Sequence, residues 1–275
     1  MKDEISPIEI LKYLPKNNCG ECGLNTCMAF ATSVTRRIIN YKKCPYIKLP
    51  EELEESIKEY FQKEKRDRVP GIHALTNLEK NISKLDFFKV SKKLDIEYEK
   101  KENMELLKIF YIDTYIFLIK KDGELKLQKE NKEDIDIYDK ILIYNYVYFS
   151  GDKGISGEWI AMENMPNSIS KVSALRKGAE EPLKEYFKGN LNLLQERADK
   201  LGGKVLGKEN CVADLCVVFY VFPKLPIRIN FYDEVREENL DASVKFLYDK
   251  NVLNYLDLES LVFCSEKLAE KLMEG

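Results

Sequence analysis

The sequence predicts an α+β chain in two parts. A small helical module carries four cysteines, and a larger mixed domain follows it, with an antiparallel sheet packed by helices. Three observations predict this. Four of the seven cysteines fall between residues 19 and 44. A helical stretch after them is ended by Val69-Pro70-Gly71. Beyond it, runs rich in Ile, Phe and Tyr, bounded by turn residues, share the chain with segments of helical period. The expected divisions are residues 1–49, a helical linker at 50–72, and a domain at 73–275.

Each element has a local reason. Ser6-Pro7-Ile8-Glu9 is a helix start: Ser6 caps, Pro7 suits the first helical position and Glu9 completes a capping box. Pro15 keeps this helix short. Residues 17–27 form a turn-rich loop, where Gly20 and Gly23 permit positive φ. A second helix runs from Met28 toward Arg36, Arg37 and Ile38, and Lys42-Lys43-Cys44-Pro45 breaks the chain. Residues 50–66 read as a linker helix, with Glu51 and Glu52 at its start and Lys63, Lys65 and Arg66 at its end, matching the helix dipole.

In the larger part, Asn81–Lys93 reads as one helix. Met104–Ile112 and Tyr115–Lys120 read as strands, and Leu125–Gln128 pairs back across the Lys121-Asp122-Gly123-Glu124 turn. Residues 135–149 lean to helix. Ser168–Phe187 and Asn190–Leu201 read as helices, the second stopped by Gly202-Gly203. Asp214–Phe222 and Pro226–Tyr232 read as strands. The chain ends on an amphipathic helix capped by Asp257, with Leu258, Leu261, Val262, Ser265, Leu268 and Leu272 on one face.

Composition narrows the function classes. The chain has 275 residues and is 44% hydrophobic, enough to bury a core. A third of its residues are charged, yet the formal net charge is only −3. Mixed signs of charge argue against a broad nucleic-acid surface. No apolar leader follows Met1-Lys2-Asp3-Glu4, and no stretch approaches the roughly 18 apolar residues of a membrane helix. The expectation is a cytoplasmic protein without a membrane span, and clustered cysteines in that setting point to metal rather than disulfides.

The four clustered thiols, Cys19, Cys22, Cys27 and Cys44, follow the spacing C-x2-C-x4-C-x16-C-P. Soft, deprotonated ligands converging from one loop and one distant return suit a metal–sulfur cluster. The amides of Gly20, Gly23 and the helix start near Thr26–Met28 lie where they can donate to an anionic site. A four-thiolate zinc site is the alternative. Zinc sites usually come as two close pairs, and here there is one close pair, a third cysteine and a distant single, so spacing favours the cluster.

Leu14-Pro15, Asn18-Cys19-Gly20, Cys22-Gly23, Thr26-Cys27, Phe30-Ala31 and Cys44-Pro45 together resemble the [4Fe–4S] domain of the corrinoid iron–sulfur protein large subunit, of the acetyl-CoA synthase/CO dehydrogenase system. A similar domain occurs in Rnf-type B subunits. The resemblance covers residues 8–47. It implies that Cys19, Cys22, Cys27 and Cys44 are the cluster ligands. It also implies single-electron transfer, in one case to reactivate a corrinoid. In the larger part, Ser156-Gly157-Glu158-Trp159, Pro182-Leu183, Leu201-Gly202-Gly203, Phe222-Pro223, Pro226, Asp241-Ala242-Ser243 and Leu247-Tyr248-Asp249 resemble domain of unknown function family 3786, over approximately residues 75–275. That resemblance implies no activity.

The remaining chemistry-bearing residues divide into functional and structural readings. One histidine, His73, removes most acid–base and Ser-His-Asp schemes, and it reads as a linker residue. Cys211 and Cys216 either form a redox pair or metal half-site, or pack separately; odd spacing on an extended strand would turn them to opposite faces. Cys264 reads as core. Trp159 either stacks a planar group or anchors the core at a turn, the latter favoured. Asp233, Glu234, Glu237 and Glu238 read as solvated surface. Lys12, Lys16, Arg36, Arg37, Lys42 and Lys43 surround the thiols and would steady an anionic cluster or steer an acidic partner.

The sequence thus favours an iron–sulfur electron carrier or accessory protein, with a ferredoxin or a corrinoid protein as redox partner. The alternative is a non-redox binding module with a structural metal site, zinc or cluster. No catalytic constellation is recognised, and an enzyme with a site near Trp159 is the weakest reading.

Overall fold

The computed structural model describes residues 7–24, 26–35, 41–50, 53–55, 57 and 72–274. The expectations at Ser6, Arg36, Arg37, Ile38, Val69-Pro70-Gly71 and most of the 50–66 helix fall outside the described residues. The chain falls into two compact units, residues 1–72 and 73–275.

In the first unit, helix α1 (Pro7–Leu11) turns inward at Ile10, and Pro15 limits its length. Helix α2 (Cys27–Thr35) buries Cys27, Phe30, Ala31 and Val34, the spacing of one helical face. A short turn at Tyr41–Lys43 leads to Cys44. Ile10, Leu14, Phe30, Val34, Tyr41 and Ile57 make a core that also encloses Cys22, Cys27 and Cys44. Tyr41 donates to Glu54 Oε1 at 2.8 Å.

The second unit opens with helices α3 (Ile72–Ile82) and α4 (Phe87–Leu94). The single helix expected at Asn81–Lys93 is therefore two. Asp86 takes an extended conformation and caps α4 by accepting from the Lys89 amide at 3.1 Å, so the chain has to leave the helix before it. His73, expected in a linker, lies on the backbone of α3.

Strands β1 (Glu97–Lys101), β2 (Met104–Tyr111), β3 (Thr114–Lys121) and β4 (Glu124–Lys129) form an antiparallel meander in that order. Leu107, Ile109 and Tyr111 of β2 and Ile116 and Leu118 of β3 are buried, following the two-residue period of a half-buried sheet. Helix α5 (Ile137–Phe149) follows, capped by Asp136 and bearing the buried Leu142, Ile143, Tyr146 and Val147.

The second sheet has the order β5-β9-β8-β7-β6, with every pairing antiparallel. Its strands are β5 (Trp159–Ala161), β6 (Lys204–Val205), β7 (Leu215–Phe222), β8 (Leu225–Tyr232) and β9 (Ser243–Asp249). Between them lie helices α6 (Ile169–Leu175), α7 (Glu181–Phe187) and α8 (Leu191–Lys200), and α9 (Leu258–Glu274) ends the chain. One hydrophobic core joins both sheets to these helices. Phe222 stacks on Tyr146 at 4.2 Å between ring centroids, and Tyr111 leans on it at 4.9 Å. Among the described residues no helix is long and apolar enough to cross a membrane.

The helix expected over Ser168–Phe187 contains a π turn at Arg176–Glu180. Pro182 has no amide for the Gly178 carbonyl, and its ring would clash there, so the ladder widens. Gly202 stops α8 with φ +76°, and a Cβ on Gly203 would collide with Phe219 and Val217. The glycine pair is thus required by backbone sign and by close approach.

Candidate metal centre

The loop between α1 and α2 gathers its thiols through its own backbone. Gly20 and Gly23 adopt φ +77° and +84°, and the Gly23 amide closes a turn on the Gly20 carbonyl at 2.8 Å. Asn18, itself at φ +51°, accepts the Cys27 amide on Oδ1 at 2.8 Å. That bond ties the start of the loop to the first turn of α2. Thr26 Oγ1 accepts from Ala29 at 3.0 Å and caps the same helix. Across the loop, Tyr46 donates to Glu21 Oε1 at 2.8 Å, which straps the Cys44 segment against it. The hydrogen bond to Glu21 raises the Tyr46 phenol above its usual pKa.

Cys19, Cys22, Cys27 and Cys44 all line one small cleft, together with Leu14, Pro15, Asn18, Gly20, Leu24 and Phe30. Cys19 is exposed at the rim, and the other three are buried. Among the described residues no three His, Cys, Asp or Glu side chains are grouped tightly enough to hold a single metal ion. The donor set is four soft sulfurs around an apolar wall, and it fits an iron–sulfide core of several atoms.

The expected donors to such a core divide. The Gly23 amide is used by its own turn and the Cys27 amide by Asn18. Among the described residues the Gly20 and Met28 amides have no such partner. Sequence reasoning missed the Asn18 and Tyr46–Glu21 locks. An Asn directly before the first cysteine in a turn-rich loop was the available signal.

The other residues named from the sequence lie elsewhere in the fold. Ser156 and Gly157 of one motif meet Asp249 of another: Asp249 Oδ2 accepts from Ser156 Oγ at 2.9 Å and the Gly157 amide at 2.8 Å, and Oδ1 accepts from the Asn251 amide at 2.9 Å. Glu158 pairs with Lys250 at 2.9 Å. Trp159 opens β5 half-exposed rather than anchoring the core, because it sits on an edge strand. Of the acidic run, Glu237 and Glu238 are exposed, but Asp233 accepts the Gly189 amide at 2.7 Å and Glu234 lies 3.7 Å from Lys188.

Cys264 is fully buried, and burial pushes its thiol well up. Cys211 and Cys216 are joined by a disulfide, which corrects the expectation that they pack separately. Strand β7 starts only at Leu215, so Cys211 lies in the preceding turn and strand alternation does not govern it. Their Cα atoms are 5.6 Å apart, where five extended residues would span roughly 16 Å.

Two protein-family models match the chain. One, described as "Putative Fe-S cluster", covers residues 14–46. The other, "Domain of unknown function (DUF3786)", covers residues 86–271. The first match, whose span contains the four-thiol cleft, supports an iron–sulfur protein. By the second match, over more than half its length, the chain belongs to the DUF3786 family.

Curated relatives align with the first unit. Over 40 residues the chain is 55% identical to acetyl-CoA decarbonylase/synthase complex subunit gamma 2 of Methanosarcina mazei, covering 14% of this chain and 8% of that protein. Over 43 residues it is 46% identical to the corrinoid/iron-sulfur protein large subunit of Moorella thermoacetica, covering 16% and 10%. Over 50 residues it is 42% identical to the gamma subunit of Methanocaldococcus jannaschii, covering 18% and 10%. The chain spans a tenth or less of the length of these relatives. No solved structure matches it.

Proposed function

We propose that Cys19, Cys22, Cys27 and Cys44 hold a [4Fe–4S] cluster and that the protein passes single electrons to, or supports, a redox or corrinoid-dependent enzyme of anaerobic metabolism. The observation that carries this is four sulfurs bordering one cleft. The cluster, when bound, supplies reversible one-electron transfer. Leu14 and Phe30 shield the site from water, and the exposed Cys19 leaves one side open to a partner. Asn18 fixes the Cys27 amide, and the Gly20 and Met28 amides remain for an anionic core. Lys12, Lys16, Lys42 and Lys43 are exposed around the loop and favour an acidic partner such as a ferredoxin. The names of the relatives favour a corrinoid protein as the other candidate.

Anaerobic purification with iron, sulfide and zinc analysis tests the cluster. The expected result is a brown protein with about four iron and four sulfide per chain, whose visible absorption bleaches on reduction. A colourless preparation carrying one zinc would overturn it. A brown protein that no reductant bleaches would keep the cluster and exclude electron transfer.

A further inference from the structure

The disulfide between Cys211 and Cys216 lies in the second unit, away from the four clustered thiols in sequence, and its surroundings are built. Cys216 is on β7 directly opposite Asn230 of β8, on the sheet face turned away from the main core. Arg228, two residues along β8, is on the same face. Its Nη2 lies 3.5 Å from Cys216 Sγ and donates to the Asn210 carbonyl at 2.9 Å, and its Nε donates to Asn230 Oδ1 at 2.7 Å. Both ends of the guanidinium are thereby fixed. The guanidinium thus places its charge within 3.5 Å of the Cys216 sulfur. The two sulfurs differ in access: Cys216 is fully buried, whereas Cys211 is half-exposed beside Val212, which is 81% exposed.

As a staple the bond is at the weak end of its kind, because a short ring removes little loop-closure entropy. It closes a ring of only five residues' separation, and the same segment is already pinned by the Asp214 amide on the Phe231 carbonyl at 3.0 Å.

We propose that Cys211 and Cys216 are a reversible dithiol–disulfide site whose co-reactant is a dithiol, protein or small molecule. A thiolate of the co-reactant attacks Cys211 Sγ, the accessible sulfur. The Cys211–Cys216 bond breaks, and its electron pair leaves on Cys216 Sγ as a thiolate facing Arg228. The second thiol of the co-reactant then attacks its own sulfur in the mixed disulfide and releases Cys211. Two electrons pass from the dithiol to the protein, which ends as the Cys211 thiol and the Cys216 thiolate; of the dithiol's two protons one goes to Cys211 and one to solvent, and the co-reactant ends as a disulfide. The guanidinium stabilises the leaving thiolate, which speeds this direction, and keeps Cys216 ionised as the nucleophile for the reverse.

The full-length protein, handled anaerobically, allows a clean test. Trypsin cleavage after Lys208 and Lys224 leaves a peptide, Glu209–Lys224, containing Cys211 and Cys216 and no other cysteine. The folded protein is equilibrated with mixtures of reduced and oxidised dithiothreitol, quenched with acid, then denatured, alkylated and digested, and the peptide is weighed. The expected result is a reversible passage from no added groups to two, following a two-electron curve. Arg228→Gln should slow reduction about tenfold. In Cys211→Ser it should raise the pH at which Cys216 is alkylated by about one unit. A peptide that stays unlabelled under every mixture unless the protein is denatured before equilibration, or that carries two groups under every mixture, would overturn the site. Unchanged rate and pH midpoint in Arg228→Gln would overturn the role of the guanidinium.

Discussion

Asp139 shows how one buried side chain sets a pH dependence. It is 5% exposed on α5, accepts from the Tyr111 hydroxyl at 2.7 Å and lies 3.7 Å from Lys267. Burial, and then its hydrogen bond with Asp136, raise its carboxyl to about 6, against the pull of Tyr111 and Lys267. A folded-state value above the unfolded one means the native chain holds a proton that the unfolded chain releases. Stability should therefore be full below about pH 4 with respect to this group and fall as the pH rises to about 6. Asp139→Asn, which keeps an acceptor for Tyr111, should remove this slope, a difference on the order of 1–3 kcal/mol across the window. Urea unfolding of the sheet domain at pH 4, 5 and 6 measures it, and identical slopes in the two proteins would refute the assignment. At the same scale, the cysteines of the first unit were legible because ligand spacing is local. The Asn18 bond to Cys27 spans nine residues, and the Cys211–Cys216 bond depends on where β7 begins.

At the scale of an element, one carboxylate gathers three of the hydrogen bonds that hold the loop before β5, beside those from Asn251 to the Gly154 carbonyl and from Tyr255 to the Lys153 carbonyl. Asp249, 3% exposed at the end of β9, receives three hydrogen bonds, from Ser156, Gly157 and Asn251. Asp249→Ala should cost about 2–4 kcal/mol, because charged hydrogen bonds are lost and two amides are left without an acceptor. Asp249→Asn should cost less. Denaturant midpoints measure both, and equal midpoints for Ala and wild type would show that the loop is held by something else. The long, periodic elements α5, β2, β3, β7, β8 and α9 were readable from their hydrophobic patterns. Strand β1 was not, because Glu97–Lys101 is a charged edge with little burial. Strand β9 was overlooked although Val244, Phe246 and Tyr248 alternate inward. The split between α3 and α4 turned on the capping preference of Asp86, which a helical period alone does not report.

Across the whole molecule, the two units have separate hydrophobic cores with no residue in common. The first core is small and includes three of the four clustered thiols, so metal should supply much of its stability. Stripping iron with a chelator under anaerobic conditions should unfold the first unit while the melting transition of residues 73–275 stays in place. Hydrogen exchange resolves the two, and loss of protection in both units together would contradict it.

The sequence alone determined the four-cysteine module, its likeness to known cluster domains and the α+β class of the remainder. Each depends on spacing along the chain, through ligand reach, helical and strand periods, and turn chemistry. Only the tertiary structure decided that Ser156 and Gly157 answer to Asp249, that Cys211 meets Cys216, and that Arg228 faces them. Those juxtapositions arise from antiparallel strand register and from the turn before β7, and pairing between distant segments leaves no periodic trace in the chain itself.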